Sequence, residues 1–327
     1  MSTSARDAPV LVAPDKFKGT FAAAEVSGAI VEGLRQGGRE AIELPLADGG
    51  EGTTDALLAA LGGERRAARV EDPLGRVVEA GFALIGDGRT AVVETAQASG
   101  LWRVPEAERD ALRASTRGTG QLIASALQSG AEEVIVAAGG SATTDGGAGA
   151  LEALGDLGPA TLTVACDVRT PWEDAAGVFG PQKGADARTV ARLERRLDVL
   201  AVRLPRDPRG VPFTGAAGGL AGGLWAALGA RLVAGAPLVL DAVGFDAHMG
   251  VSRFVVTGEG RLDAQTLAGK VVGEVATRCR QSGVACHAVV GQNALDGFRA
   301  RVLDLASVTE AGTEEQLAAV GRMLAAV

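Results

Sequence analysis

Short apolar segments at both ends of the chain alternate with stretches of helical periodicity, and this alternation constrains the fold more than any other feature. The first segments are PVLVAPD (9–15) and AIELPLAD (41–48), and the last are SRFVVTGEG (252–260), ACHAVVG (285–291) and DLASVTE (304–310). A helical pattern follows each of them, as in βαβ units, whose strands are parallel. The five units together predict one doubly wound, parallel-sheet α/β domain.

The middle of the chain follows a different pattern. VVEAGFALIGDGRTAVVETA (77–96) alternates apolar and polar residues around a Gly-Asp-Gly turn, which is typical of a β-hairpin. We therefore predict a domain formed by residues 1–63 and 252–327 that is interrupted by an inserted α/β domain at 64–251. Two consecutive domains with a boundary near residue 150 are the alternative.

The composition limits the classes of partner and compartment. The 327 residues carry 32 Lys and Arg against 40 Asp and Glu, without a basic run, so we expect no nucleic-acid partner. The longest weakly polar tract (218–240) is mostly Gly and Ala, which argues against a membrane span. Only residues 10–13 are apolar before Pro14, so we expect no signal peptide.

The three cysteines lack CxxC spacing and favour reduced thiols in the cytoplasm. Two distant histidines argue against a zinc site, and the oligomeric state stays open.

Three loops of the predicted parallel sheet should meet at one edge. In the flavodoxin-like strand order 2-1-3-4-5, the loops after strands 2, 1 and 3 are neighbours at the switch point, where ligands bind. Here those loops are ADGGEGTTD (47–55), PDKFKGT (14–20) and TGEGRLDAQT (257–266). All three are rich in glycine and charged residues. The sequence therefore predicts a binding site at this edge.

The first of these loops in chain order is suited to an anion. PDKFKGT places Asp15, Lys16 and Lys18 directly after a strand. Two lysines beside the start of a helix can hold an anion through ammonium and backbone N–H groups. The alternative is a solvated turn with Thr20 as the helix cap.

The third loop combines carboxylates with cations. TGEGRLDAQT carries Glu259, Arg261 and Asp263, and Lys270 follows about one helical turn later. Carboxylates at strand ends are costly unless they are paired, hydrated or bound to a metal. Because Mg²⁺ is usually held by one or two carboxylates together with substrate phosphates, we predict Glu259 and Asp263 as its ligands. A capping turn with surface ion pairs is the alternative.

A glycine-rich loop, GGSATTDGGAG (139–149), follows a buried strand of the predicted insert. It lacks the GK[ST] ending of a Walker A loop, but its glycine backbone and hydroxyls can cradle phosphates. A tight structural loop is the alternative. The stretch FGPQKGAD (179–186) adds Gln182 and Lys183, for which an exposed loop is the simpler interpretation.

Taken together and in this order, these motifs resemble the glycerate kinase family, whose members phosphorylate D-glycerate with ATP. The matching stretches are APDKFKGT, PLADGGEGT, VVETAQASGL, STRGTGQLI, GGSATTDGGAG, ACDV, FGPQKGA, GAAGGL and VVTGEGRLDAQTLAGK. They cover most of the chain, and their combination is specific. The resemblance implies a flavodoxin-like α/β domain interrupted by a second α/β domain. The chain departs from the family pattern at Thr144, where the family usually has Asn, and at Thr170-Pro171, where it has Asn-Pro.

The resemblance also implies roles for the loop residues around ATP, Mg²⁺ and glycerate, in a cleft between two domains. The residues predicted to act in catalysis are Lys16, Asp48 and Asp263, and the last two are the alternatives for the general base. The residues predicted to bind glycerate are Asp15, Lys18, Glu51, Arg261 and Lys270. The residues predicted to bind the nucleotide are Gly139, Gly140, Ser141, Thr143, Thr144, Asp145, Gln182 and Lys183.

Three alternatives to a 2-phosphoglycerate-forming kinase follow from the same residues. Phosphorylation of the 3-hydroxyl would use the same groups. A non-catalytic nucleotide- or metabolite-binding regulator would keep the glycine-rich loops but would need no spare carboxylates. A phosphatase or mutase would require a nucleophile, and the sequence offers none that convinces.

Overall fold

The computed structural model describes residues 8–155 and 157–327. Residues 1–7 lie outside the described residues. The sequence analysis assigned them to the first domain and expected no signal peptide there. The strands are β1 (Val10–Val12), β2 (Ala41–Glu43), β3 (Gly63–Glu71), β4 (Val77–Ile85), β5 (Thr90–Glu94), β6 (Glu133–Ala137), β7 (Thr161–Cys166), β8 (Arg231–Ala234), β9 (Val255–Leu262), β10 (Cys286–Asn293) and β11 (Ser307–Glu310).

The helices of the described residues vary from one turn to nearly five. They are α1 (Ala23–Gln36), α2 (Thr53–Leu61), α3 (Thr95–Ser99), α4 (Arg117–Gln128), α5 (Ala148–Leu154), α6 (Ala175–Phe179), α7 (Ala187–Arg203), α8 (Leu220–Leu228), α9 (Gly235–Ala242), α10 (Phe245–Gly250), α11 (Val271–Ser282), α12 (Gly297–Leu303) and α13 (Glu314–Leu324). None of them is both long and apolar enough to cross a membrane.

The contacts divide the chain into two compact units. Unit 1 comprises Met1–Asp48 and Ala236–Val327, and unit 2 comprises Gly49–Gly235. The sequence placed these boundaries at residues 63 and 252, whereas the structure places both earlier in the chain. The first shifts because α2 packs on β4 and β5 of unit 2. The second shifts because α10 packs on α11 of unit 1.

Unit 1 contains a five-stranded parallel sheet in the order β11-β10-β9-β1-β2. Numbered within the unit, this is the order 2-1-3-4-5, so the predicted flavodoxin-like fold is confirmed. Strand β1 is an inner strand between β9 and β2, and its three residues are fully buried. The side chains of Val10 and Val12 pack with those of α1 and α13 in one core. Strand β1 ends at Val12, so the predicted lysine loop (14–20) follows directly after its carboxyl end.

Unit 2 contains a six-stranded mixed sheet in the order β3-β4-β5-β6-β7-β8. Strands β3, β4 and β5 are antiparallel neighbours, and the rest of the sheet is parallel. The predicted hairpin at 77–96 is confirmed as β4 and β5. The weakly polar tract 218–240 divides into α8, β8 and the start of α9, so its Gly and Ala residues serve close packing of short elements. The parallel strand β6 delivers the glycine-rich loop at its carboxyl end.

Candidate functional site

A cleft of about 320 Å³ lies in unit 1, beside the carboxyl ends of β1 and β9. Predicted residues from two loops line it together. They are Asp15, Lys16, Lys18, Glu259 and Arg261. The convergence that the strand order predicted for these two loops is therefore present in the structure.

The glycines of the Gly-Glu-Gly motif allow this close approach. A Cβ atom on Gly258 would lie 2.3 Å from the carbonyl oxygen of Val289, and one on Gly260 would lie 3.0 Å from the backbone N of Lys18. The backbone N–H of Asp15 donates to the carbonyl oxygen of Gly258 at 2.8 Å. Backbone can therefore pack on backbone, and the lysine loop is held against Glu259.

Glu259 is a buried carboxylate with one close polar partner. Its side chain is 5% exposed, and its Oε1 accepts a hydrogen bond of 2.5 Å from the Thr266 hydroxyl. Burial raises the pKa of Glu259 to about 7, although the bond from Thr266 and the charge of Lys270 oppose this rise. The charges of Asp263 and Asp48 raise the same pKa further. The structure therefore gathers these predicted residues within electrostatic reach of Glu259.

Asp15 is the second buried carboxyl group of the cleft. Its Oδ1 accepts a bond of 2.7 Å from the backbone N–H of Lys16. Burial first, and then the carboxylate of Asp48, raise the pKa of Asp15 to about 8, and Glu259 adds to this while Lys16 opposes it. The carboxyl groups of Asp15, Asp48 and Glu259 thus repel one another, and a proton or a cation would relieve that repulsion.

The residues of unit 1 fit a magnesium ion that is completed by substrate oxygens. Asp263 is 31% exposed, its Oδ1 accepts from the backbone N–H of Gln265 at 2.9 Å, and its Oδ2 lies 3.6 Å from Nε of Arg261. In residues 8–155 and 157–327, no group of three or more His, Cys, Asp or Glu could hold a metal alone. Two carboxylates plus substrate phosphates is the donor set that Mg²⁺ commonly uses.

Replacing Asp15 by asparagine is expected to stabilise the fold at high pH. A folded-state pKa raised from 3.8 to about 8 means that the native state loses stability as pH rises through that window. Asparagine resembles the protonated acid, so the gain over wild type should grow between pH 4 and pH 9. We expect at least about 1 kcal/mol at pH 9 by urea unfolding, since one pKa unit corresponds to about 1.4 kcal/mol.

Asp72 provides a matched control of opposite sign. Burial alone would raise its pKa, but hydrogen bonds from Arg76 and Leu74 lower the pKa below its ordinary value. The variant Asp72→Asn should therefore lose stability relative to wild type as pH rises towards about 4, and this loss should stay constant from there to pH 9. A gain from Asp15→Asn that is no larger at pH 9 than at pH 4 would contradict the electrostatic account.

The glycine-rich loop of unit 2 connects β6 to α5 and packs against Glu51. Gly140 has φ +69°, and a Cβ atom there would lie 2.1 Å from Oε1 of Glu51. A Cβ atom on Gly139 would lie 3.2 Å from Oδ2 of Asp167. The structure thus places Glu51, predicted to bind glycerate with residues of unit 1, against the predicted nucleotide loop.

Lys183 lies inside unit 2 rather than on its surface. Its side chain is 2% exposed, and its Nζ donates to the carbonyl oxygen of Thr143 at 2.5 Å and to the Ser141 hydroxyl at 3.1 Å. Burial lowers the pKa of Lys183 to about 7, although the charges of Asp145 and Asp167 oppose this. The simpler interpretation of an exposed lysine is therefore wrong, whereas its neighbour Gln182 is exposed.

Asp145 and two threonines give the loop its polar character. Asp145 is 1% exposed and accepts bonds of 2.9 Å from both the backbone N–H and the hydroxyl of Thr116. It also accepts from the backbone N–H groups of Gly147 and Gly149. The buried hydroxyls of Thr143 and Thr144 have no hydrogen-bond partner among the described residues. Such orphan groups are costly, and the oxygen of a bound ligand could satisfy them.

A sequence model of the glycerate kinase family matches residues 10–157 and 156–317. The chain belongs to the glycerate kinase family. The chain is 40% identical to a glycerate kinase of Halalkalibacterium halodurans over 322 aligned positions, which cover 86% of this chain and 85% of that protein. It is 37% identical to a glycerate 2-kinase of Escherichia coli, with 97% of each chain covered. The resemblance predicted from the motifs is confirmed, as is an enzyme of the kinase class.

A solved structure supports the same family at the level of the fold. It comes from Salmonella typhimurium LT2 and is assigned to a glycerate kinase 2. The TM-score is 0.83 at 36% identity, with 98% of this chain and 97% of that chain covered. The predicted α/β class is therefore confirmed by a neighbour that spans both units.

Two polar residues of this glycerate kinase family member escaped the sequence prediction. Thr266 holds Glu259, and Glu94 accepts bonds from the backbone N–H groups of Gly52 and Thr54 at the start of α2. Thr266 stands three residues after Asp263, a spacing common in capping turns, so the pattern gave a local signal. Glu94 lies far from α2 in the sequence, so no local pattern indicated its role.

Proposed function

We propose that this protein transfers the terminal phosphoryl group of ATP to D-glycerate and forms 2-phosphoglycerate. The observation that carries the proposal is the cleft of unit 1, where lysine and arginine side chains stand beside buried carboxyl groups. Cations suit the carboxylate of glycerate, and carboxylates suit a hydroxyl group and a metal ion. A volume of about 320 Å³ suits a small ligand. The name of the Escherichia coli relative, glycerate 2-kinase, supports the 2-position.

The cations of the cleft and the carboxylates in and near it have proposed tasks. Lys16, Lys18 and Arg261 hold the substrate carboxylate and the transferring phosphoryl group. Asp48 or Asp263 orients the attacking hydroxyl and accepts its proton. Glu259, together with Asp263, would hold Mg²⁺, which supplies charge neutralisation when it is bound.

The glycine-rich loop of unit 2 is proposed to contact the nucleotide. Its support is the pair of buried, unpartnered hydroxyls of Thr143 and Thr144 among the described residues. Lys183 and Asp145 brace the loop from inside, so it is fixed before the nucleotide binds. A fixed loop avoids the entropic cost of ordering on binding.

The deciding experiment measures ADP release with ATP, Mg²⁺ and D-glycerate, and omits each component in turn. Coupling the product to enolase without a mutase then identifies the position, because only 2-phosphoglycerate is consumed directly. We expect glycerate-dependent ADP release and direct consumption by enolase. ADP release without consumption would instead indicate the 3-hydroxyl. Nucleotide binding with no glycerate-dependent ADP would favour the regulator and contradict the proposal.

We also propose that the enzyme acts in the cytoplasm. Its three cysteines, Cys166, Cys279 and Cys286, are free and buried. Unpaired cysteines are typical of proteins in reducing compartments.

A further inference from the structure

A second cleft, of about 510 Å³, lies entirely within unit 2 and is lined by arginines. Arg192, Arg195, Arg196 and Arg203 all come from α7. Their spacing of three, four and seven residues places them along one face of the helix. Asp145 of the glycine-rich loop also lines this cleft. The cleft therefore adjoins the proposed nucleotide loop.

The positive charge of this cleft is largely uncompensated. Within residues 8–155 and 157–327, the side chains of Arg192, Arg195 and Arg203 have no ion-pair or hydrogen-bond partner. Arg196 donates to the carbonyl oxygen of Leu112 at 2.9 Å. In a chain of net charge −8, four arginines on one helix face form an unusual local concentration of cations. Guanidinium groups bind phosphate oxygens in pairs of parallel hydrogen bonds.

The glycine-rich loop itself cannot supply that charge. Lys183, whose ammonium group contacts this loop, is buried, it donates to the carbonyl oxygen of Thr143, and its charge is offset by those of Asp145 and Asp167. The loop thus offers hydroxyl and N–H donors without net positive charge. A triphosphate carries several negative charges, which need cations within a few ångströms.

We propose that the arginine-lined cleft of unit 2 binds the oligophosphate tail of the nucleotide, the chemistry shared by ATP and free polyphosphates. This inference rests on the proposed kinase function, for which it names the site that attracts the phosphate donor. The cleft volume is in the range of small-molecule and cofactor pockets. Val199, 54% exposed, and Leu200 add an apolar strip between the arginines that suits a base or ribose.

The test is calorimetric titration of the full chain with ATP and, separately, with inorganic tripolyphosphate and adenosine. Arg192→Gln and the double variant Arg192→Gln/Arg195→Gln should raise the Kd of ATP at least about tenfold, since a charged hydrogen bond is worth about 1.5–3 kcal/mol. Both residues are exposed, so the fold should persist. Arg188→Gln, an exposed residue of the same helix outside the cleft, is the matched control and should leave the Kd unchanged.

The separate titrations distinguish binding of the phosphate tail from binding of the rest of the nucleotide. Loss of both ATP and tripolyphosphate binding in the double variant, with a matching rise in KM for ATP, supports the assignment. An unchanged Kd for ATP overturns it, and so does loss of tripolyphosphate binding with an unchanged KM for ATP. If wild type binds ATP but releases no ADP with glycerate, the proposed function fails by itself. If wild type is an active kinase and the double variant binds ATP normally, only the cleft assignment fails.

Discussion

Replacing Asp263 by asparagine is expected to lower kcat by about 10²–10⁴-fold, the range associated with a lost general base. The same change should move Tm by no more than about 2 °C. Asparagine keeps an Oδ1 acceptor for the backbone N–H of Gln265. It removes the charge that acts on Glu259 and that faces Arg261. We therefore expect a large loss of turnover and little loss of thermal stability.

A magnesium titration distinguishes the two proposed roles of Asp263. If this carboxylate binds the metal, Asp263→Asn should raise the Mg²⁺ concentration at half-maximal rate, and excess Mg²⁺ should restore part of the turnover. If it is the base, that concentration stays constant, and Asp48→Asn should have the smaller effect on kcat. Asp296→Asn, which changes an exposed helix cap of the same unit, is the control. Near-normal turnover in Asp263→Asn would refute both roles.

The fold class was predictable because the two ends of the chain carry uninterrupted βα periodicity. Five short apolar segments led to five parallel strands, and the order of the sheet matched the flavodoxin-like pattern. The unit boundaries were less predictable. A helical pattern at 53–61 shows that α2 exists, but it does not show that the helix packs on β4 and β5. Which strands α2 packs on depends on residues that are distant from it in the sequence.

The charged site of unit 1 was predictable for a related reason. Loops at the carboxyl ends of neighbouring parallel strands must meet, so Asp15, Lys16 and Glu259 could be brought together from strand order alone. The burial of Lys183 could not, because a lysine after a Gly-Pro turn normally points to solvent. The arginines of α7 were missed because such a pattern resembles the solvated face of an amphipathic helix. Only the cleft beside them marks them as unusual.

Lys183→Met is expected to destabilise the protein by about 3 kcal/mol at neutral pH. The substitution leaves the carbonyl oxygen of Thr143 and the hydroxyl of Ser141 without their donor, and it removes the cation that faces Asp145 and Asp167. Removing one partner from a buried polar network leaves the other uncompensated. Urea unfolding measures the loss. Lys18→Met, which alters an exposed lysine, should change stability by less than about 0.5 kcal/mol.

The pH dependence of this loss tests the cause. Burial lowers the pKa of Lys183 from 10.5 to about 7, so between these values the unfolded chain binds more protons than the native state. The stability of wild type relative to Lys183→Met should therefore increase as pH rises from 7 towards 10, and it should be flat below pH 7. The difference between the two proteins cancels the titration of every group that they share. A difference that stays constant over this range would mean that Lys183 is held in its charged form, and that its bonds to the glycine-rich loop outweigh the cost of burial.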